Sequence, residues 1–269
     1  MQGDVEIIMS EELKVTTDAR GVRHIVLNRP DVHNAFDDHQ IKRMIVALEE
    51  AQADPKVRVV ILAGEGKSFS AGGDLNYMRR MAGNTFEENK QDAGQLARLM
   101  KTLNFLKKPT IARVHGAAFG GGVGLAACCD IAIGTAKAKF CLSEVKVGMV
   151  PATIAPYVAR TIGEKAARRY FATAEVITAE KALALGLLSE LVEEDKLDST
   201  IEEIAVALLS NAPEGVSKAK QIVFDIVNGD VTDAIIEHTV EFIAEIRNSD
   251  EGREGLTAFL EKRKPNWLQ

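Results

Sequence analysis

Between His115 and Asp130 the chain reads HGAAFGGGVGLAACCD, with glycine at positions 116, 120, 121, 122 and 124. That much backbone freedom ahead of an apolar run constrains the fold more than any other feature of the chain. It suits a tight passage from a strand into a helix. Two phosphate-loop readings fail on spacing. Gly122-Val123-Gly124 is followed by Ala127 where a dinucleotide fingerprint needs its third glycine. Gly116 and Gly121 have the Walker separation, but Gly122 stands where the lysine belongs. What remains is a strand, TIARVHG, entering the first turn of a helix. There the unpaired N–H groups of Gly121 and Gly122 face outward at the positive helix end. Such a turn suits a developing oxyanion, and close packing of strand on helix is the competing reason for the same glycines.

A second stretch, KSFSAGGDL from Lys67 to Leu75, repeats the passage from strand through small residues to a helix start. Asp74 is its natural cap. Two loops of this kind can each offer one N–H to the same oxygen.

The flanking sequence sets both loops in a layered chain. LKVTTDARGVRHIVLNRP predicts two strands joined at DARG, with Pro30 ending the second. Asp37 and Asp38 offer caps for a helix whose Ile41, Met44, Ile45 and Leu48 recur at helical spacing. VRVVILAGEG predicts an apolar strand running into glycine, and a long amphipathic helix is expected over residues 89–106. Pro109 resets the chain for TIARVHG, after which DIAIGT and KFCLSEV predict two more strands. Strands alternating with helices predict an α/β domain. Beyond Pro151, IAPYVARTIG, EKAARRYFAT and TAEKALALG predict short helices, and LLSELV a late strand. Three apolar stripes follow: Leu197, Ile201, Ile204 and Leu208; Ile236, Val240 and Ile243; Leu256, Phe259 and Leu260. Each needs a surface to cover it, from this chain or from another subunit. The expected organisation is a core over residues 1–195 and a helical oligomerisation region over 196–269. Met9 offers an alternative start, which would leave the first eight residues as a disordered leader.

Composition narrows the function classes. The 269 residues suffice for a substantial core. Lys and Arg number 33 against 39 Asp and Glu, a net charge of −6, which argues against a nucleic-acid partner. Cys128, Cys129 and Cys141 have no basic neighbour to activate a thiolate and suit packing in a reducing compartment. The opening MQGDVEIIMSEELKV lacks a basic segment followed by a long apolar one, and no charge-free run is long enough to span a bilayer. A cytoplasmic protein without a membrane partner is expected.

FSAGGDL resembles the FSAGADL loop of the crotonase (enoyl-CoA hydratase/isomerase) superfamily. HGAAFGGGVGLAACCDIAIG resembles that family's second signature, and FCLSEVKVGMVPATIAPYVARTIG its third. LNRPDVHNAF matches the early CoA-binding turn and GLTAFLEKRKPNW the C-terminal helix, so the resemblance spans nearly the whole chain in family order. It implies an α/β spiral of repeated ββα units with a helical C-terminal trimerisation region, and acyl-CoA substrates. It implies that the N–H groups of Gly73 and Gly121 form an oxyanion hole for a thioester oxygen gaining enolate charge. Losing one such donor typically costs about 2.7–4 kcal/mol of transition-state stabilisation. By the same resemblance His33 and Ala35, with Ala71, Gly72, Gly73, Asp74 and Leu75, line the CoA arm. Phe259 and Lys262 match residues that reach a CoA, often in a neighbouring subunit. The implied assembly is a homotrimer or a dimer of trimers. No metal or prosthetic cofactor is implied, the CoA thioester being the substrate.

One position departs from the pattern. Hydratases of this family usually grip one water between two glutamates; the first would fall at position 124, which is glycine, and the second is present as Glu144. A carboxylate ending an apolar strand is partly desolvated, which raises its pKa toward the range useful for proton transfer. Glu144 is then either the single proton shuttle of an isomerase or the base and proton donor of a hydratase. In the second case Gly124 leaves space for another water or a bulkier acyl group. AAFGG, GLAACCDIAIG, FCLSEV, AARRY and KRKPNW are most similar to bacterial methylglutaconyl-CoA and carboxygeranoyl-type hydratases. That similarity favours hydration of a branched or carboxylated 2-enoyl-CoA in leucine degradation. Arg79, Arg80, Lys146 and Arg160 lie near these motifs as cations for a distal carboxylate, and none is singled out. His115 reads as a strand-end histidine bonded to backbone.

Overall fold

The computed structural model describes residues 5–227 and 229–268, with the backbone alone for residues 5–10. An antiparallel meander comes first: β1 (Val5–Ser10), β2 (Leu13–Thr17) and β3 (Val22–Leu27), followed by α1 (Asp38–Ala53). Of the leader that a start at Met9 would leave, Val5 to Ile8 pair with β2 as part of β1, and residues 1–4 lie outside the described ones. The Asp37 side chain caps α1 by accepting from the Gln40 N–H.

Three ββα units follow. The first is β4 (Val59–Gly64), β5 (Ser68–Ser70) and α2 (Leu75–Met81), extended by α3 (Phe86–Asn104). The second is β6 (Thr110–Val114), β7 (Ala117–Phe119) and α4 (Gly121–Cys128). The third is β8 (Ile131–Thr135), β9 (Lys139–Cys141) and α5 (Ala155–Ile162). In each unit the first strand joins a seven-stranded sheet and the second a four-stranded one. With α6 (Glu164–Thr173), β10 (Ile177–Thr178), α7 (Ala179–Ala184) and β11 (Glu190–Val192), the orders become β1-β2-β3-β4-β6-β8-β11 and β10-β9-β7-β5. From β3 to β11 the large sheet is parallel, as is β5-β7-β9. This is the α/β spiral of ββα units that the resemblance implied.

Strand alternation divides the core. Val60 and Leu62 face α1 and α3, whereas Val59 and Ile61 meet the opposite face. That second face is covered by α8 (Leu197–Leu209) through Leu197, Ile201 and Ala205. Helix α8 thus seals the sheet of the core. The remaining helices, α9 (Pro213–Ile226), α10 (Asp233–Asn248) and α11 (Asp250–Glu261), pack on one another. Their stripes stay open: Ile236, Val240 and Ile243 on α10 are exposed, as are Leu256, Phe259 and Leu260 on α11.

Two local expectations change. The long helix begins at Phe86 rather than at residue 89, because Thr85 and Glu88 form a capping box there. KFCLSEV is a strand only from Lys139 to Cys141; Glu144 opens a 3-10 turn, Glu144–Val147, which Gly148 ends in the left-handed region. Glu144 therefore sits on a tight turn beyond the strand.

Candidate active site

The two glycine loops meet at the ends of the short strands. At Gly72 φ is +86°, and a β-carbon there would lie 2.7 Å from the Phe119 carbonyl oxygen and 3.4 Å from the Gly121 nitrogen. Only glycine permits that approach. Gly120 takes φ +50°, ψ −120° at the entry to α4, and its N–H donates to the Cys141 carbonyl over 2.8 Å. Gly121 is then the first residue of α4, and its N–H has no partner in the hydrogen-bond network of the described residues.

Gly73 reaches the same condition by another route. It forms an isolated parallel bridge with Phe36, in which the Phe36 N–H donates to the Gly72 carbonyl (2.8 Å) and the Asp74 N–H to the Phe36 carbonyl (3.1 Å). A parallel bridge of this register uses the groups flanking Gly73, so the N–H of Gly73 itself is left over. Asp74 caps α2 by accepting from the N–H groups of Asn76 (2.8 Å) and Tyr77 (3.2 Å). Arg29 donates to the same carboxylate over 3.1 Å and to the Ala35 carbonyl over 2.8 Å. Burial pushes the Asp74 carboxyl up, but these donors outweigh it and hold it below the usual carboxylate range. The Asp74 side chain is thus committed to holding its own loop.

Glu144 faces the start of α4. Its Oε1 lies 3.1 Å from where a β-carbon on Gly120 would be, and its Oε2 is buried without a hydrogen-bond partner. Burial raises its carboxyl above the ordinary glutamate range, offset in part by its own N–H. A half-buried carboxylate with an uncommitted oxygen can take up a proton and return it.

Two clefts adjoin this centre. One of about 500 Å³ is lined by His33, Ala35, Ala71, Gly73, Asp74 and Leu75 among others. His33 has a left-handed φ of 56°, accepts from the Ala71 N–H at its carbonyl (2.9 Å), and places Nδ1 3.1 Å from Ser68 Oγ. The second, about 580 Å³, is lined by Leu75, Met78, Met81, Val147, Met149 and Arg79 among others, and is mostly apolar. Leu75, Met78 and Arg79 line both. Phe259 and Lys262 line neither: Phe259 is 81% exposed, Lys262 caps α11, and α11 packs on α9 and α10.

Gly124 does not open space. A β-carbon there would overlap Ile154 Cγ2 and lie 2.9 Å from Ile154 Cβ and 3.1 Å from Met100 Sδ. The room expected for a further water or a bulky acyl group is filled by a buried isoleucine. His115 places Nε2 2.9 Å from the Gly66 carbonyl oxygen and lines a different cleft, with His24 and Asp198. Burial raises all three thiols, that of Cys129 to about 12. Sequence reasoning missed Phe36 and Ile154; both are ordinary apolar residues whose roles arise from contacts with distant glycines. Among the described residues, no group of three or more His, Cys, Asp or Glu is placed to hold a metal ion. No helix among them is long and apolar enough to cross a membrane.

Free N–H groups on two glycine loops, a half-buried acid and adjoining clefts define an acid–base enzyme on a ββα spiral. The sequence model described as Enoyl-CoA hydratase/isomerase matches residues 17–269, and the chain belongs to that family. An enoyl-CoA hydratase from Shewanella pealeana superposes with a TM-score of 0.92 at 48% identity, covering 95% of this chain and 96% of that one. The short-chain-enoyl-CoA hydratase of Clostridium acetobutylicum is 35% identical over 261 residues, 96% of this chain and 95% of its own length. The crotonyl-CoA hydratase of Syntrophomonas wolfei is 31% identical over 264 residues, 97% of each. These comparisons carry general enoyl-CoA hydratase/isomerase activity on acyl-CoA substrates. They do not single out the methylglutaconyl-CoA or carboxygeranoyl-CoA branch.

Proposed function

We propose that the protein hydrates a 2-enoyl-CoA, with the thioester oxygen between the N–H groups of Gly73 and Gly121 and Glu144 as the acid/base. The observation that carries this reading is Glu144 at the start of α4, with Oε1 against Gly120 and Oε2 buried and uncommitted. Glu144 takes a proton from water as the oxygen adds to C3. Electron density moves through C2 to the thioester oxygen, where two N–H donors stabilise the enolate. The proton returns from Glu144 to C2, and the thioester carbonyl is restored. His33, Ala35, Ala71, Gly72, Gly73, Asp74 and Leu75 form the wall along which the CoA arm lies. The apolar cleft takes the acyl group, and Arg79 is the only cationic residue lining it among the described residues. A guanidinium at the edge of an apolar wall suits a branched acyl chain with a distal carboxylate, as in methylglutaconyl-CoA of leucine degradation.

The open apolar stripes of α10 and α11 are covered by other copies in a homotrimer or a dimer of trimers. Phe259 and Lys262 reach the CoA of a neighbour in that assembly. The residue division at 195/196, a cytoplasmic location and the absence of a nucleic-acid partner belong to the same reading.

Isomerisation is the second reading, favoured by Ile154 standing where a second carboxylate would be. Glu144 would then move one proton between two carbons of an enoyl-CoA through a dienolate. Turnover in ¹⁸O-water separates the two with methylglutaconyl-CoA, a straight-chain 2-enoyl-CoA and a 3-enoyl-CoA as substrates. Hydration places the label on C3 of the product. Double-bond migration without label overturns the hydratase reading.

A further inference from the structure

One residue touches both glycine loops. The main chain of Phe36 brackets Gly73, through the Phe36 N–H to the Gly72 carbonyl and the Asp74 N–H to the Phe36 carbonyl. Its ring lies under the other loop. A β-carbon on Gly121 would overlap Phe36 Cζ and sit 3.1 Å and 3.5 Å from Cε2 and Cε1. Phe36 is only 2% exposed and is held from both sides. On one side Arg29 binds the Ala35 carbonyl, and on the other Asp37 caps α1. A rigid ring in van der Waals contact on one face transmits position, because close-packed interiors do not yield by half an ångström without cost.

We infer that Phe36 is the positioning residue of the oxyanion site. Its backbone fixes the Gly73 N–H, its ring fixes Gly121, and one side chain therefore sets the separation of the two donors. This rests on the enolate-holding role proposed above. Donors placed for an oxyanion lose their effect steeply with misplacement, and an error of about 1 Å can cost on the order of 100-fold in rate. The glycine at 121 has a second purpose in this arrangement, since any side chain there would lift α4 off the ring. A phenylalanine that merely filled the core would affect folding and leave the chemistry per folded molecule intact.

The test compares wild type with Phe36→Leu, which keeps apolar bulk but lacks Cζ, and with Phe36→Ala. It reads kcat and KM on a 2-enoyl-CoA, affinity for a saturated acyl-CoA, and the near-ultraviolet band of a bound 3-ketoacyl-CoA enolate. The expected result is a kcat at least roughly tenfold lower in Phe36→Leu, with KM within about threefold of wild type. The enolate band weakens while the saturated acyl-CoA still binds. Gly121→Ala, damaging in wild type, costs less in the Phe36→Leu background because the ring it would strike is gone. Unchanged kcat and enolate band per folded Phe36→Leu molecule overturn the Phe36 inference alone. A wild type with neither turnover nor an enolate band overturns the functional reading, and this inference with it.

Discussion

Ile154 occupies the volume that a side chain at position 124 would need, its Cβ 2.9 Å from where the β-carbon of residue 124 would be. Both residues are buried, and Met100 Sδ closes the same space at 3.1 Å. Gly124→Ala is therefore expected to destabilise the fold by about 1–3 kcal/mol, the usual cost of overpacking. Thermal unfolding measures it. Ile154→Ala in the same chain removes the overlapping Cγ2, so the double variant should lose less than the two single losses combined. Strict additivity would show that the pair does not interact.

Glu144→Gln should separate activity from stability. Loss of a positioned acid/base is expected to lower kcat by about 10²–10⁴-fold, with KM little changed. Burial raises the Glu144 carboxyl above its unfolded value, so the folded state holds that proton more tightly. Between the unfolded and folded pKa values stability then falls as pH rises, and ionised Glu144 is a burden at neutral pH. Glu144→Gln should therefore melt higher than wild type at pH 7, with the difference vanishing below the ordinary glutamate range near 4.5. The acid limb of the wild-type kcat/KM profile should lie above that value and be absent in the variant. An acid limb unaltered by Glu144→Gln would assign it to another group.

The glycines at the two donor positions should answer differently to the same change. A methyl on Gly73 meets nothing closer than Met78 Cγ at 3.7 Å, an ordinary contact. A methyl on Gly121 strikes the Phe36 ring. Gly73→Ala is expected to retain kcat within about threefold, whereas Gly121→Ala loses on the order of 100-fold. Equal losses would show that contact with the Phe36 ring does not set the cost at Gly121.

Asp74→Ala removes the cap of α2 and one of the partners of Arg29 together. A lost side-chain cap typically costs about 0.5–2 kcal/mol. The Asp74 carboxyl is held below the usual range, so its contribution is present above the unfolded value and is lost as pH falls through the folded one. The stability gap between wild type and Asp74→Ala should accordingly close in acid. Urea titrations at neutral and acid pH read both terms.

Ile243→Asp places a charge in the exposed apolar stripe of α10. If that stripe is covered by another copy, the variant should run as a smaller species by size exclusion with light scattering. Its KM for acyl-CoA should rise as Phe259 and Lys262 are withdrawn from a neighbour's site. An unchanged mass would remove α10 from the assembly surface.

The sequence by itself determined the order of elements and the two glycine loops, and its resemblance to the family marked one carboxylate where a pair is usual. These are local properties: apolar periodicity fixes helices and strands, and a positive φ or a tight approach demands glycine at Gly72 and Gly120 whatever lies around them. Strand β7 was not legible, because Ala117 to Phe119 is too short for a periodic signal. The tertiary structure alone decided that Ile154 fills the place beside Gly124 and that Phe36 joins Gly73 to Gly121. It also placed Glu144 on a 3-10 turn facing Gly120. Each of these depends on packing between residues 24 to 85 positions apart in the chain. Spacing along one segment carries no record of such contacts, since van der Waals fit is settled only when the segments are brought together.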